Sequence, residues 1–168
     1  MRTLFKGPSR ALMEAFGSLF SRMLIAAFFL PFGIKHIKDY SVSAGYAAAR
    51  HLPMPHVLVA TAIFAEAGLG FLLLIGLRTR LTTAGLFLFC AVWSVLYHNF
   101  WDAPYELYAA ERIMFFKNMA IMGGLLVIAL HGPGRFSADA LLARRRTSPA
   151  RAAGSGQDNV ATIPNRAA

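Results

Sequence analysis

Arg22, Glu66 and Lys117 are each the one ionisable side chain of a long apolar stretch, and each shares a helical face with small residues. Ser18, Arg22 and Ala26 follow i, i+4, i+8, as do Ala62, Glu66 and Gly70, while Lys117, Ala120 and Gly124 follow i, i+3, i+7. Small residues let membrane helices approach closely, so these faces are expected to point into a bundle. An ionisable group there is costly unless it meets a partner or water. Glu66 is therefore expected to pair with Arg22 or Lys117. Two cations against one carboxylate leave positive charge over, which suits a carbonyl oxygen or an anion. The centre reads as a polar pocket for a quinone, a proton or an anionic ligand; the alternative is an ion pair that only fixes helix register.

Other groups could extend that centre. Cys90, Ser94 and His98 share one face at i, i+4, i+8 and would run a polar line to one surface. His98 could donate to a quinone carbonyl from the rim, and Lys117 from depth. Lys35 lies toward the same side, and Asn118 beside Lys117 can bond across helices. The candidate ligand-binding set is Glu66, Lys117, Arg22, His98, Asn118 and Lys35, with no catalytic residue assigned. His36, His51, His56 and His98 also fall on that side, but none forms a helical metal-ligand pair such as H-E-x-x-H, so no metal is expected. Cys90 is the single cysteine, so no dithiol chemistry can be self-contained. No Gly-x-Gly-x-x-Gly or Walker sequence occurs.

The elements that must position these groups are membrane helices. Hydrophobic residues make up 57% of the 168, above the ~45–50% of soluble domains. The excess falls in four blocks, at about 16–34, 57–77, 81–97 and 113–130, each near the ~17–25 residues of a spanning helix. A soluble four-helix bundle would show polar stripes, whereas Phe71-Leu72-Leu73-Leu74-Ile75 and Leu86-Phe87-Leu88-Phe89 are apolar on every side. The fold class is all-α: a polytopic four-transmembrane-helix bundle, with a short interfacial helix near 44–50 in the first outer loop. Residues 1–10 form a basic lead, 11–142 the transmembrane domain and 143–168 a tail expected to be disordered. Ser137 reads as an N-cap, with Asp139 in the first turn that follows.

The net charge of +9 first suggests nucleic acid, but its distribution suggests a membrane. Eleven basic residues lie in the segments that share the side of the termini, against four in the opposite loops, where Lys35, Lys38, Arg50 and Arg112 are balanced by Asp39, Asp102, Glu106 and Glu111. That asymmetry places both termini in the cytoplasm. A cleaved signal peptide is not expected, because Lys35, His36, Lys38 and Asp39 separate the first apolar core from small residues at 47–49. The lipid bilayer is the expected partner, with no nucleic acid.

Several segments, in order, resemble the DoxX family of small four-span membrane proteins over about 16–142. They are Gly33-Ile34-Lys35-His36, Leu52-Pro53-Met54-Pro55, Glu66 with Gly68 and Gly70, and Gly76-Leu77-Arg78-Thr79-Arg80. His98-Asn99-Phe100-Trp101, Phe116-Lys117-Asn118-Met119-Ala120, Gly123-Gly124-Leu125-Leu126 and Gly132-Pro133-Gly134-Arg135-Phe136-Ser137-Ala138-Asp139 follow. The fourth-span pieces are also similar to a eukaryotic cargo-receptor family. The DoxX resemblance implies a bacterial inner-membrane protein and an accessory or quinone-facing subunit of a membrane redox complex. It leaves open a non-redox small-molecule or lipid binding or transport protein, a membrane scaffold, and a homo-oligomer.

Overall fold

The computed structural model of the chain describes residues 8–153. α1 (Pro8–Lys38) is followed by α2 (Tyr40–Ala49) and α3 (Pro55–Ile63). α3 runs without a break through a π-helical segment, Phe64–Leu69, into α4 (Gly70–Ile75). α5 (Thr79–Tyr97), a 3-10 turn (Phe100–Asp102), α6 (Tyr105–His131) and α7 (Ala138–Ala153) complete the order. Among the described residues there is no strand.

Four helical stretches are long and apolar enough to cross a membrane: Ala11–Lys38, Pro55–Ile75, Thr79–Asp102 and Tyr105–His131. The architecture is the all-α polytopic bundle that the apolar blocks predict, and α2 supplies the short helix between the first two spans. The spans are longer than the blocks because charged and aromatic residues at their ends stay helical. α1 continues through Pro31 to Lys38, since one lost backbone hydrogen bond is tolerated where packing holds the helix. α6 starts at Tyr105, which places Lys117 about 18 Å along it at ~1.5 Å per residue, deeper than a span opening at 113 implies. α7 crosses the boundary placed at 143 and is helical to Ala153; the basic lead before Pro8 and the tail after Ala153 lie outside the described residues.

The core is narrow and built from small and aromatic groups: Ala26, Phe29, Ala62, Ala65, Phe89 and Cys90 at mid-bundle, with Leu73, Leu86, Leu125 and Ile128 below them. Large apolar residues such as Phe64, Leu88 and Leu130 face outward. That distribution suits lipid, where close packing of small residues rather than apolar burial joins helices. Among the glycines, the tightest approach to another segment's backbone is between α1 and the π-helical segment. A Cβ on Gly33 would lie 2.5 Å from Ala67 N and 2.9 Å from its Cα, so only glycine fits.

At the end of the bundle shared by the start of α1 and the end of α6, called proximal here, Arg22 is a structural latch. It is wholly buried, Nη1 donates to Leu74 O at 3.2 Å, and Nη2 donates to Phe136 O. Gly76 sits in the left-handed region at φ +69°, and an added Cβ would strike the Arg22 guanidinium, which accounts for glycine twice over. Ser137 caps α7 by accepting from Ala140 N at 3.2 Å. Asp139 reaches across to the start of α5, accepting from Arg78 N at 2.7 Å and from Thr79 N and Oγ1 at 2.9 and 3.0 Å. Burial pushes the Asp139 carboxyl up, but those hydrogen bonds and the Arg22 charge outweigh it and hold the group below its ordinary range.

Candidate functional site

A cavity of about 440 Å³ opens at the distal end, between α1, α2, α3 with its π-helical continuation, α5 and α6. Five of the six sequence candidates line it: Lys35, Glu66, His98, Lys117 and Asn118. Arg22 does not, because its guanidinium is held by backbone carbonyls at the proximal end.

Glu66 is buried and points inward, but its partner is neither Lys117 nor Arg22. Its Oε2 accepts from His36 Nδ1 at 2.7 Å. The pairing with His36 has a geometric cause. His36 continues the inward face of α1 that Ala26, Phe29 and Gly33 define at helical spacing, and Gly33 brings that face against the π-helical segment one turn away. A π-helical turn carries one extra residue and shifts the side chains that follow around the helix. Glu66 lies inside that turn, so the 3.6-residue period gives its inward side but not the neighbour it meets.

A second carboxylate holds the groups at the mouth. Glu111 on α6 accepts from Arg50 Nη2 at 2.8 Å and from His98 Nδ1 at 2.7 Å. Arg50 also donates to Tyr97 O and lies over the Tyr46 ring, 5.5 Å from its centroid. This network ties α2, α5 and α6 together at the mouth. Sequence reasoning missed it by counting Arg50 and Glu111 only as loop charges. Their separation of 61 residues leaves no local signal, although Glu111 lies within the first turns of α6.

Deeper in, the polar line on α5 is present. Ser94 Oγ donates to Cys90 O at 2.7 Å and accepts from Asn118 Nδ2 at 3.0 Å. Buried hydroxyl and amide are thereby satisfied across two helices. Lys117 Nζ reaches Met114 Sδ at 3.1 Å and lies 4.8 Å from the Phe28 ring centroid. One wall is a ladder of rings: Phe89 to Trp93 at 4.3 Å, Trp93 to Tyr97 at 5.5 Å and Tyr97 to Tyr46 at 6.5 Å between centroids. Trp93 therefore presents a face to the cavity. The arrangement offers flat apolar walls, the His36–Glu66 pair, the His98 ring and an ammonium in one concave space, with Glu111 behind His98 and outside the lining.

The family model described as DoxX matches residues 17–99. The chain is 30% identical over 122 residues to inner membrane protein YphA of Escherichia coli (strain K12), covering 72% of this chain and 86% of that protein. It is 33% identical over 137 residues to inner membrane protein YqjF of the same strain, covering 79% and 97%. A shorter stretch of 70 residues is 34% identical to the Surfeit locus protein 4 homolog of Schizosaccharomyces pombe, covering 40% of this chain and 23% of that protein. No solved structure matches the chain.

Proposed function

The chain belongs to the DoxX family of integral membrane proteins, and from that premise we propose that its distal cavity binds a quinone-type headgroup, in a quinone-facing accessory subunit of a bacterial inner-membrane redox complex. One observation carries the reading: the cavity combines stacked aromatic walls with hydrogen-bonding groups at its mouth and floor. Its volume, about 440 Å³, lies within the ~300–1,000 Å³ usual for ligand sites. A ring headgroup needs an apolar slot and a few placed polar groups. Phe28, Phe89 and Trp93 supply the slot, with Lys117 at depth and His98 at the rim. The quinone would supply redox chemistry. The protein's own groups would bind it, orient it and hold protons at the His36–Glu66 and His98–Glu111 pairs. The basic asymmetry of the loops supports cytoplasmic termini, which would put the cavity mouth on the outer side.

Mass spectrometry of the lipid extract of protein purified in mild detergent, together with quinone-analogue binding, tests the reading. Wild type should bind, and Lys117→Met and His98→Ala should bind more weakly. No binding by wild type refutes the quinone assignment, and equal binding by all three places the site elsewhere. A second reading, a non-redox binder of lipids or small anions, is favoured by the lining itself, where Lys35, Arg50 and Lys117 outnumber Asp39 and Glu66. Retention of a redox partner in mild detergent would favour the first reading over the second.

A further inference from the structure

The charges that face the cavity are not equally satisfied. Glu66 is bonded to His36, and Arg50 and His98 share Glu111. Lys35 and Asp39 stand at the exposed mouth, and Cys90 is a buried thiol on α5. Lys117 differs. Among the described residues it has no carboxylate within ion-pair distance, and its Nζ rests on a thioether sulfur and an aromatic face. Both are weak partners for a group with three N–H donors. Glu66, the buried carboxylate that lines the same cavity, already holds His36. An ammonium so placed in a membrane bundle is incompletely compensated.

We propose that this cavity selects ring ligands bearing an ionised hydroxyl, phenolates and hydroxyquinone anions, over neutral quinones, and that Lys117 makes the selection. The inference rests on the cavity being a ring site. A phenolate oxygen at Nζ sets charge against charge, whereas a neutral carbonyl offers the ammonium only a dipole, and the difference grows where water is excluded. The ring then lies against the Phe89–Trp93–Tyr97 wall. Neither a soluble phenol nor a membrane hydroxyquinone is excluded by that chemistry, since both present the same anionic oxygen.

The test compares a naphthoquinone carrying an acidic ring hydroxyl with its methyl ether, at neutral pH where the first is ionised and the second cannot be. Binding is read by quenching of Trp93 fluorescence in a Trp101→Phe background. The hydroxy compound should bind at least about tenfold tighter than the ether in wild type. That ratio should fall to about one in Lys117→Met and persist in Lys117→Arg. A ratio near one in wild type, with both compounds bound, overturns the selection while leaving the ring site standing. A ratio that survives Lys117→Met overturns the role of Lys117. Failure of both compounds to bind overturns the ring site and the selection with it. Unfolding temperatures of the variants identify any loss of fold, and Lys117→Arg keeps the charge in case Lys117→Met does not fold. A version of the hydroxy compound with a long alkyl chain separates the sources: tighter binding indicates a membrane-borne ligand, equal binding a water-borne one, and either supports the proposal if the ratio holds.

Discussion

Gly33→Ala and Gly17→Ala make the same chemical change in the same helix and should shift stability in opposite directions. In a helix the change gains about 0.5–1 kcal/mol by reducing the freedom of the unfolded chain. At Gly17 an added Cβ meets nothing within 4 Å, so that gain should appear. At Gly33 the Cβ would fall 2.5 Å from Ala67 N and 2.9 Å from Ala67 Cα and Cβ. None of those atoms can rotate away, so α1 and the π-helical segment must separate by roughly 1 Å to restore van der Waals contact. Overpacking of this kind costs about 1–3 kcal/mol. The same separation would stretch the 2.7 Å His36–Glu66 contact past hydrogen-bonding range, a further loss of about 0.5–1.5 kcal/mol. Gly33→Ala should therefore be less stable than Gly17→Ala by about 2–4 kcal/mol, measured by reversible unfolding in detergent micelles. Glu66→Gln placed in both the wild-type and Gly33→Ala backgrounds then reports the coupling. Its effect should be smaller where the helices have already parted. Equal stability of the two alanine variants would refute the close approach, and strict additivity with Glu66→Gln would refute its link to the His36 pair.

Arg22→Met removes donors to Leu74 O and Phe136 O at a wholly buried position and should cost about 2–4 kcal/mol; because Arg22 lies outside the cavity, ligand affinity in the variant that remains folded should match wild type. Asp139 titrates below its ordinary range in the folded state, so its contribution is complete above the unfolded-state value and is lost as pH falls through the folded-state value. Unfolding measured below about pH 4 should show an acid limb that Asp139→Asn reduces, and an unchanged limb would remove Asp139 from the account. Reporter fusions after Ala103 and Ala168 should fall on opposite sides of the membrane, and the same side for both would overturn the topology inferred from the basic residues.

The number of spans, their approximate places and the inward side of Glu66 are legible in the sequence, because hydropathy and helical periodicity are local sums. On α6 the buried face runs through Asn118, Leu125 and Ile128 rather than the expected 117, 120 and 124 stripe, and Ala120 is exposed. The Ser137 cap is legible for the same reason: it involves residues within one turn. The loop charges carry a topology signal, but they do not reveal pairing. The tertiary structure alone decided that Glu66 meets His36 rather than Lys117, that Arg22 belongs to the proximal latch, and that Arg50, Glu111 and His98 converge. Each of these depends on how one helix is rotated and how closely it approaches another. At Glu66 the rotation comes from a π-helical turn, and the approach from a glycine set against Ala67. A side chain's partner in a bundle is fixed by the sum of such rotations and offsets along separate helices, and no window of the sequence contains them together.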